Sequence, residues 1–540
     1  MKVAIAGGYG VFGAKLAEVL VRDGHSVVVT GRNLAKANEV ASRVGCSVQE
    51  VDLDNNPGAI FDSQPNIVVD ASGPFQCYGD KPYRLTELCI DNGVDYLDLS
   101  DVAEFTAGIG ILDDIARKAG LRLLSGASTV PAITSSVAAE LCEGFDEVLL
   151  IDSAVLPGNR APRGRSVIAS IVGQLGEKSR IWRGGRWRDQ ICWSDARTIS
   201  VAPGVERTAR YIEVPDIVLF PEFFNARSVV FRAGLELGIL DASMRAIAMI
   251  RLYWPFEATP FRSEILRRVA DLFLRFGTDR GGMRVRVVGL LDGKPVRREW
   301  RLVAEGGDGP YIPAVACRAV IRKLDQIPVG SRPCLAEVSR AEIEAAMADL
   351  KVSTEMEEAS APTLFQSALG EHWHKIPEQI RTLHSVYDLE SFSGQAEVTR
   401  GRSIFAKLIA WLFRFPPASE STPVTVTKTR TNSGEIWERR FGNRSFHSYC
   451  TPSAKACQIR ERFLVFNFEL DLVVEKSSVY FEVNRGWLLG IPLPRGLLPG
   501  SNSREYVEDG EFCFDVALSA PLGIGLIVRY VGRLTADLST

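Results

Sequence analysis

Gly7-Gly8-Tyr9-Gly10-Val11-Phe12-Gly13 is the segment whose residue types and spacing point most directly to chemistry. Glycines placed this way allow a tight turn and a close backbone approach to a pyrophosphate, which then rests on the N-terminus of the next helix. The apolar run from Met1 to Ala6 reads as a strand leading into the turn. Beyond it, Phe12, Leu16, Val19 and Leu20 mark one apolar helix face, and Gly24 supplies the stop. A second strand, Ser26 to Thr30, completes a strand–turn–helix–strand context that turns a weak glycine pattern into a dinucleotide fingerprint. That strand ends in Thr30-Gly31-Arg32, and no acid occurs between Asp23 and Glu39. A carboxylate there would bond a ribose 2′-hydroxyl and repel a 2′-phosphate, whereas the planar fork of Arg32 pairs with the phosphate. The expected cofactor is NADP, with NAD the less favoured choice.

Hydride transfer belongs to such a cofactor, and the protein must position a substrate and manage a proton. Only one of the five histidines, His25, lies before residue 372, and it sits in the turn before the second strand. Asp101, just past a strand end, is the best-placed acid near a nicotinamide. Tyr78 and Lys81, after the Gly73-Pro74-Phe75 loop, can donate a proton or bind a carboxylate. These three are the candidate catalytic residues, and each also suits a helix cap or a loop hydrogen bond. Asp98, alternating with Leu97 and Leu99, can instead be structural.

Three further segments carry chemistry-bearing residues. Residues 160–188 hold eight basic side chains (Arg160, Arg163, Arg165, Lys178, Arg180, Arg183, Arg186, Arg188) and one acid, Glu177. A patch like this can draw an acidic substrate, although a solvated loop and hairpin explains it more simply. The Trp182 and Trp187 rings between the arginines do not by themselves make a nucleic-acid platform, and no nucleic-acid partner is expected. His372-Trp373-His374 beside Glu371 lacks the spacing that puts two ligands on one helix face, so no metal is expected. The segment 400–417 is basic and amphipathic, with Trp, Phe and Leu beside Arg and Lys. It reads as a helix packed on a core, with peripheral contact to a membrane surface as the alternative.

The elements that must position these residues form three blocks. Up to about residue 130 the chain alternates strand and helix in the doubly wound manner. Asn33 caps a helix that ends at Gly45, Ile67-Val68-Val69 marks a buried strand, and Val94 to Leu99 and Leu121 to Ser125 complete about six parallel strands. Ligands bind beyond the carboxyl ends of such strands, which puts Ser72-Gly73-Pro74, Ser100-Asp101 and Ser125-Gly126 around one crevice. From 131 to 350 the pattern is mixed. It has a strand at Asp146 to Val155, hairpins at 181–187 and 290–294, helices over Ala242 to Leu252, Ser263 to Phe276 and Gly309 to Leu324, and a capping box at Ser339-Arg-Ala-Glu342. The last helix is expected to return to the first sheet, and the mixed sheet to roof the crevice. Lys351 to Pro362 is polar and reads as a linker. From 363 to 540 strand-like runs dominate (Val424 to Thr429, Glu435 to Phe441, Phe463 to Val474, Ser478 to Val483, Glu511 to Ser519, Ile524 to Val531), suggesting a β-rich domain curved around an apolar interior.

Composition bounds the function classes. A 46% hydrophobic and 24% charged chain is ordinary for a globular protein, and 540 residues suffice for two to four domains. A net charge of −3 gives no global attraction to nucleic acid or an acidic membrane. Lys2 runs straight into the glycine turn without a separate apolar region, and no uncharged run nears the roughly twenty residues that span a bilayer. Ten cysteines without a Cys-x-x-Cys pair suit reduced thiols. The expected location is cytoplasmic.

The glycine turn, Thr30-Gly31-Arg32, Asp70-Ala-Ser-Gly-Pro-Phe75, Gly93-Val-Asp-Tyr-Leu-Asp-Leu-Ser-Asp101 and Gly126-Ala-Ser-Thr-Val-Pro131 together resemble the saccharopine dehydrogenase-like (saccharopine reductase-like) family. The resemblance spans about residues 1–350 and is most specific in the first 135. It implies a Rossmann domain with an α+β domain inserted after the sixth strand. It also implies nucleotide binding by Gly7, Gly8, Gly10, Val11 and Phe12, Asp52 near the adenine, and Ser72 and Gly73 backbone towards the nicotinamide. Gly13, Thr30, Gly31 and Arg32 complete the expected cofactor set. The substrate does not transfer with the family, some of whose members have no assigned substrate. Leu383-His384, Glu397-Val-Thr-Arg-Gly401, Trp437-Glu-Arg-Arg-Phe441 and Gly523-Ile-Gly-Leu-Ile-Val-Arg-Tyr530 resemble an uncharacterised domain family found C-terminal to such proteins. The leading expectation is an NADP-dependent oxidoreductase acting on a C=N, C–N, C=O or C=C centre of a small or lipid-like substrate. The alternative is a non-catalytic NADP(H)-sensing or ligand-binding protein.

Overall fold

The computed structural model describes residues 1–162, 164–254, 266 and 268–537, the side chains of residues 165 and 166 excepted. They form two compact units, 1–182 with 187–359, and 183–186 with 360–540.

The first unit opens with β1 (Lys2–Ala6), α1 (Val11–Arg22), β2 (Ser26–Gly31), β3 (Ser47–Glu50), β4 (Ile67–Asp70), β5 (Asp95–Asp98) and β6 (Arg122–Ser125). These strands pair in parallel in the order 3-2-1-4-5-6. Val3–Ile5 and Ile67–Val69 are wholly buried, as strands covered on both faces must be. The order reverses between β1 and β4, and a crevice opens at their carboxyl ends.

The sheet has seven strands, not six. Gly330–Pro333 joins parallel to β6, too short and polar to signal itself as a strand. Before it, the helix Ile312–Arg322 packs against α1. After it, Arg340–Ala346 begins at the expected capping box of Ser339 and Glu342. Residues from about 309 to 350 therefore complete the Rossmann layer and do not belong to the second domain. Arg318 fastens this return. It is buried and donates to both carboxylate oxygens of Asp23 at the end of α1 (2.9 and 2.7 Å), to Asp349, and to Ala346 O (2.8 Å).

The chain between these parts, joined by one strand that follows them, forms a second, mixed sheet in the order Arg197–Ala202, Val205–Tyr211, Val229–Gly234, Glu147–Leu156, Gly281–Leu291, Lys294–Ala304, Val352–Ser360. Its last member overturns the linker expectation for residues 351–362. The segment is polar because it is an exposed edge strand matched in charge to its neighbour: Glu357 accepts from Arg297 and Arg301 (2.6 Å each), and Glu358 from Arg298 (2.8 Å). In the middle of the sheet Asp152 is buried between Arg232 (2.8 Å) and Arg284. The hairpin expected at 181–187 forms a small sheet of its own, in which Trp182 and Trp187 meet edge to face. The expected helix from Ser263 to Phe276 lies partly outside the described residues.

In the second unit, ten strands form an up-and-down barrel: Leu389–Arg400, Ser419–Arg430, Glu435–Phe441, Arg444–Pro452, Gln458–Phe463, Phe466–Glu475, Ser478–Leu488, Gly500–Glu508, Glu511–Ala520 and Gly525–Ala536. Each is antiparallel to the next, and the first pairs with the last. The fold is thus α/β in the first unit and β-rich around one core in the second, where short helices (Leu364–Leu369, Glu378–His384, Ile404–Leu412) accompany the barrel. Of the described helices, none is long and apolar enough to cross a membrane.

Replacing Arg318 with Ala leaves Asp23 to Arg322, which donates to both of its oxygens (2.8 Å each), but removes the bonds to Asp349 and Ala346 O; losing charge-assisted hydrogen bonds of this kind typically costs about 1.5–3 kcal/mol. A urea titration of Arg318→Ala at pH 7 is expected to show that loss. The loss shrinks only as pH falls below the usual carboxylate range, and is gone only where the parent's own Asp23, held well below that range by the arginines, takes up its proton.

Candidate functional site

One cleft of about 1470 Å³ in the first unit joins the carboxyl ends of the Rossmann strands to a face of the mixed sheet. Its Rossmann end is a glycine cradle. Gly7 takes φ +69°, and a Cβ there would lie 2.5 Å from the Ser72 Cα, so the ends of β1 and β4 meet only because Gly7 has no side chain. Gly10 N donates to Gly7 O at 2.8 Å, closing the turn. Gly13 meets Gly7 O in the same way, with a Cβ at 2.5 Å. α1 starts at Gly10 without a side-chain cap and without an acid in its first turn, which leaves its N–H groups and positive dipole end to a ligand.

Gly7, Gly10, Val11, Phe12, Thr30, Gly31, Arg32, Ser72 and Gly73 all line the cleft. Gly8 and Gly13 do not. Gly8 packs on Val29 and Ile5, and Gly13 on the turn itself, so both shape the cradle without facing it. Thr30 faces the cleft while its hydroxyl donates to Ile5 O (3.1 Å). Asp52 does not line the cleft. Its carboxylate accepts from Asp54 N, Asn55 N and Asn55 Nδ2 and caps its own loop. The neighbouring Asp54 faces the cleft instead, 3.1 Å from Arg32 in a pair whose side chains are 68% and 76% exposed. An exposed pair of this kind is worth little, so a phosphate can compete for the guanidinium. Lys36, one turn into the next helix, adds a second cation to this end, and the Tyr9 ring lies against Gly31. Sequence reasoning missed both Asp54 and Lys36. The Arg32-x-x-x-Lys36 spacing was an available signal for the lysine; Asp54 had none.

The three candidate catalytic residues come together along the cleft but differ in freedom. Tyr78 O–H donates to Asp70 Oδ2 (2.8 Å) and lies 2.7 Å from Ser72 Oγ, which itself donates to Asp70 Oδ1 (2.6 Å). Burial and the nearby carboxylates hold the Tyr78 phenol far above its ordinary range, so it keeps its proton and serves the loop. Lys81 is exposed at the rim. Asp101 is the titratable one, pushed up to about 6 by burial. Asp98 is structural: its Oδ1 accepts from Ser100 N (2.9 Å), Ser125 Oγ (2.9 Å) and Gly126 N (2.8 Å).

The far end of the cleft is mainly apolar, with Gln174, Glu213 and Glu236 also on its wall. Ile168, Ile171, Val172 and Leu175 face Trp193 and Phe231, and Leu240, Met244, Ile247, Val269 and Phe273 close the chamber. Residues 160–188 read as a solvated loop and hairpin, whereas Arg165–Gln174 forms a helix that brings Ile168, Ile171 and Val172 to the wall. None of the described basic side chains of 160–188 lines the cleft; Arg163 and the Arg165 side chain lie outside the described residues. Arg180 instead lies over the Trp187 ring. His372 and His374 are exposed on either side of the buried Trp373. Among the described residues there is no cluster of three or more His, Cys, Asp or Glu side chains able to hold a metal.

Residues 3–123 match the family model of the saccharopine dehydrogenase NADP binding domain. The NADP binding domain thus coincides with the glycine cradle, and the match supports NADP(H) binding there. Residues 376–534 match a domain of unknown function (DUF4166), which spans most of the barrel. No curated protein matches the chain. Among solved structures, apo saccharopine dehydrogenase (L-Glu forming) from Saccharomyces cerevisiae is similar at 13% identity, over 66% of this chain and 99% of that one, with a TM-score of 0.45. A probable dehydrogenase from Thermotoga maritima is similar at 10% identity, over 64% and 93%, with a TM-score of 0.32.

A carboxyl raised by burial destabilises the fold where it must be charged. For Asp101 that penalty is absent below about pH 4 and fully present above its folded value near 6. Asp101→Asn is therefore expected to be more stable than the parent by about 1–2 kcal/mol at pH 8 and equal to it at pH 4, read by thermal or urea unfolding.

Proposed function

We propose that this chain is an NADP-dependent oxidoreductase acting on a lipid-like substrate. The observation that carries this reading is the continuity of the cleft, in which a phosphate-type cradle at one end opens into an apolar chamber at the other. An amino-acid substrate would need fixed charges in that chamber. Glu213 and Glu236 on its wall are already held by Ser179 and by Asn159, Thr278 and Arg207, and the rest is largely aliphatic and aromatic, which suits a hydrocarbon portion whose burial gains about 25 cal/mol per Å².

The residues present fit the cofactor. Gly7, Gly10 and the open N-terminus of α1 would hold the pyrophosphate, Arg32 and Lys36 the 2′-phosphate, and the Ser72-Gly73 backbone would lie beside the ring. When bound, the nicotinamide supplies or accepts the hydride. With the hydride going to or leaving the substrate carbon, Asp101 would give the proton to, or take it from, the oxygen or nitrogen of a C=O or C=N group, or the second carbon of a C=C. Tyr78, with Asp70 and Ser72, keeps the loop in place and does not move a proton.

Two measurements test the reading. In a fluorescence titration NADPH is expected to bind at least tenfold more tightly than NADH, and Arg32→Ala to lose about tenfold for NADPH, about 1.4 kcal/mol, while leaving NADH unchanged. Equal affinities for the two cofactors would count against NADP selectivity. With a long-chain aldehyde or ketone, NADPH oxidation is expected to fall as pH rises through about 6, where Asp101 loses its proton, and the reverse reaction to rise over the same range. Asp101→Asn flattens both profiles. Cofactor binding without turnover of any apolar carbonyl or alcohol would favour the NADP(H)-sensing alternative.

A lipid-like substrate would be presented at a lipid surface, and we propose that the helix Ile404–Leu412 is the contact. It packs inward through Ala406 and Ala410 and leaves Ile404, Phe405, Leu408 and Trp411 exposed, Ile404 at 81% and Trp411 at 71%. Residues 400–417 carry Arg400, Arg402, Lys407 and Arg414 and no acid, which suits an anionic bilayer. The protein is expected to sediment with vesicles containing anionic phospholipid, and Phe405→Glu with Trp411→Glu to abolish this without changing NADPH binding.

A further inference from the structure

The charged groups of the cleft are sorted along its length. Among the described residues, every lysine and arginine on its wall (Arg32, Lys36, Lys81 and Arg84) comes from the Rossmann layer. Beyond Arg84 the charged residues of the wall are all acids: Asp101, Glu213, Glu236 and Asp279. Three of these have evident circumstances. Asp101 stands at the end of the Rossmann strands, and Asp279 is exposed to water. Glu236 is matched, 3.3 Å from Arg207 and accepting from Asn159 N (2.7 Å), Thr278 N (2.9 Å) and Thr278 Oγ1 (2.8 Å).

Glu213 is different. It follows the strand Val205–Tyr211 and precedes the helix Pro215–Phe223, and it is half-buried. Gln174, the last residue of the helix Arg165–Gln174, clasps its backbone from both sides. Glu213 N donates to Gln174 Oε1 (2.9 Å), and Gln174 Nε2 donates to Glu213 O (3.1 Å). The side chain is fixed as well, because Ser179 Oγ donates to Glu213 Oε2 (2.7 Å). Among the described residues no donor meets Oε1, and no Lys, Arg or His side chain forms an ion pair with the carboxylate. A carboxylate is thus held in a set position on a mainly apolar wall with its charge unmatched, where a charge-assisted hydrogen bond is stronger than in water.

We infer that Glu213 receives a protonated amine, and that the molecule the chamber selects is a long-chain amine. The ammonium bonds to Glu213 Oε1, and the hydrocarbon part lies along the wall that includes Ile171, Val172, Trp193 and Phe231. An amino acid would also bring a carboxylate, and beyond Arg84 no described cation of the wall could meet it. The inference rests on the oxidoreductase reading for calling this molecule a substrate, and Glu213 acts in its recognition.

The test titrates the full chain, saturated with NADPH, with decylamine, 1-decanol and sodium decanoate by calorimetry at pH 7, below their aggregation concentrations. Decylamine is expected to bind at least about tenfold more tightly than 1-decanol, and decanoate more weakly than both. Glu213→Gln is expected to lose about tenfold for decylamine and to leave 1-decanol and NADPH unchanged. In crystals of the parent protein soaked with decylamine, the nitrogen is expected within hydrogen-bond reach of Glu213 Oε1. Amine binding no tighter than alcohol binding, an amine preference that survives Glu213→Gln, or a nitrogen placed elsewhere overturns the inference. The parent titration and the crystal decide even if the variant fails to fold. Amine preference at Glu213 without NADP(H) turnover would support the inference and count against the oxidoreductase reading alone.

Discussion

Two carboxylates buried side by side hold the floor of the cleft. Asp70 ends β4, Asp98 ends β5, and the strand register sets them directly opposite one another. Neither can reach water, and burial pushes both up, Asp98 to about 7. What makes the pair tolerable is a set of donors brought in by the loops: Ser72 N, Ser72 Oγ and Tyr78 O–H for Asp70, and Ser100 N, Ser125 Oγ and Gly126 N for Asp98. A buried carboxylate without such donors would be costly. The loops are thereby fixed, and they are the same loops that line the cleft. Tyr78 looks available from its position in the sequence and is unavailable in the fold for this reason.

Charge elsewhere in the molecule is also used internally. A net charge of −3 hides Asp152 between Arg232 and Arg284, Arg318 between Asp23 and Asp349, and Lys428 near Glu505 through His384. Removing one member of such a group strands the others, whereas replacing the whole group by apolar residues need not. These clusters tie elements far apart in sequence, which composition alone cannot reveal.

The parts legible in the sequence were those written locally. The glycine turn, α1, the Asn33 cap and the capping box at Ser339 each follow from residues a few positions apart. The parts that were not legible depend on partners brought from a distance. Val352–Ser360 reads as a linker until the arginines of the neighbouring strand are placed beside it. Asp54 rather than Asp52 reaches the cleft because the loop turns the Asp52 carboxylate inward on its own backbone. Phe463 to Val474 reads as one strand but is two, because the reversal falls at Leu464-Val465, where Leu464 adopts φ 51° with no glycine or proline to mark it.

Barrel closure sets a condition on how the second unit acquires its structure. The seam joins Leu389–Arg400 to Gly525–Ala536, strands separated by about 130 residues, and pairing over such a loop is entropically expensive and slow. Until that last strand arrives, the sheet has two open edges and its apolar concave face meets water. The nascent barrel is therefore most vulnerable to association with its own kind during the final stretch of its synthesis, and completion of the ring ends that exposure in a single step.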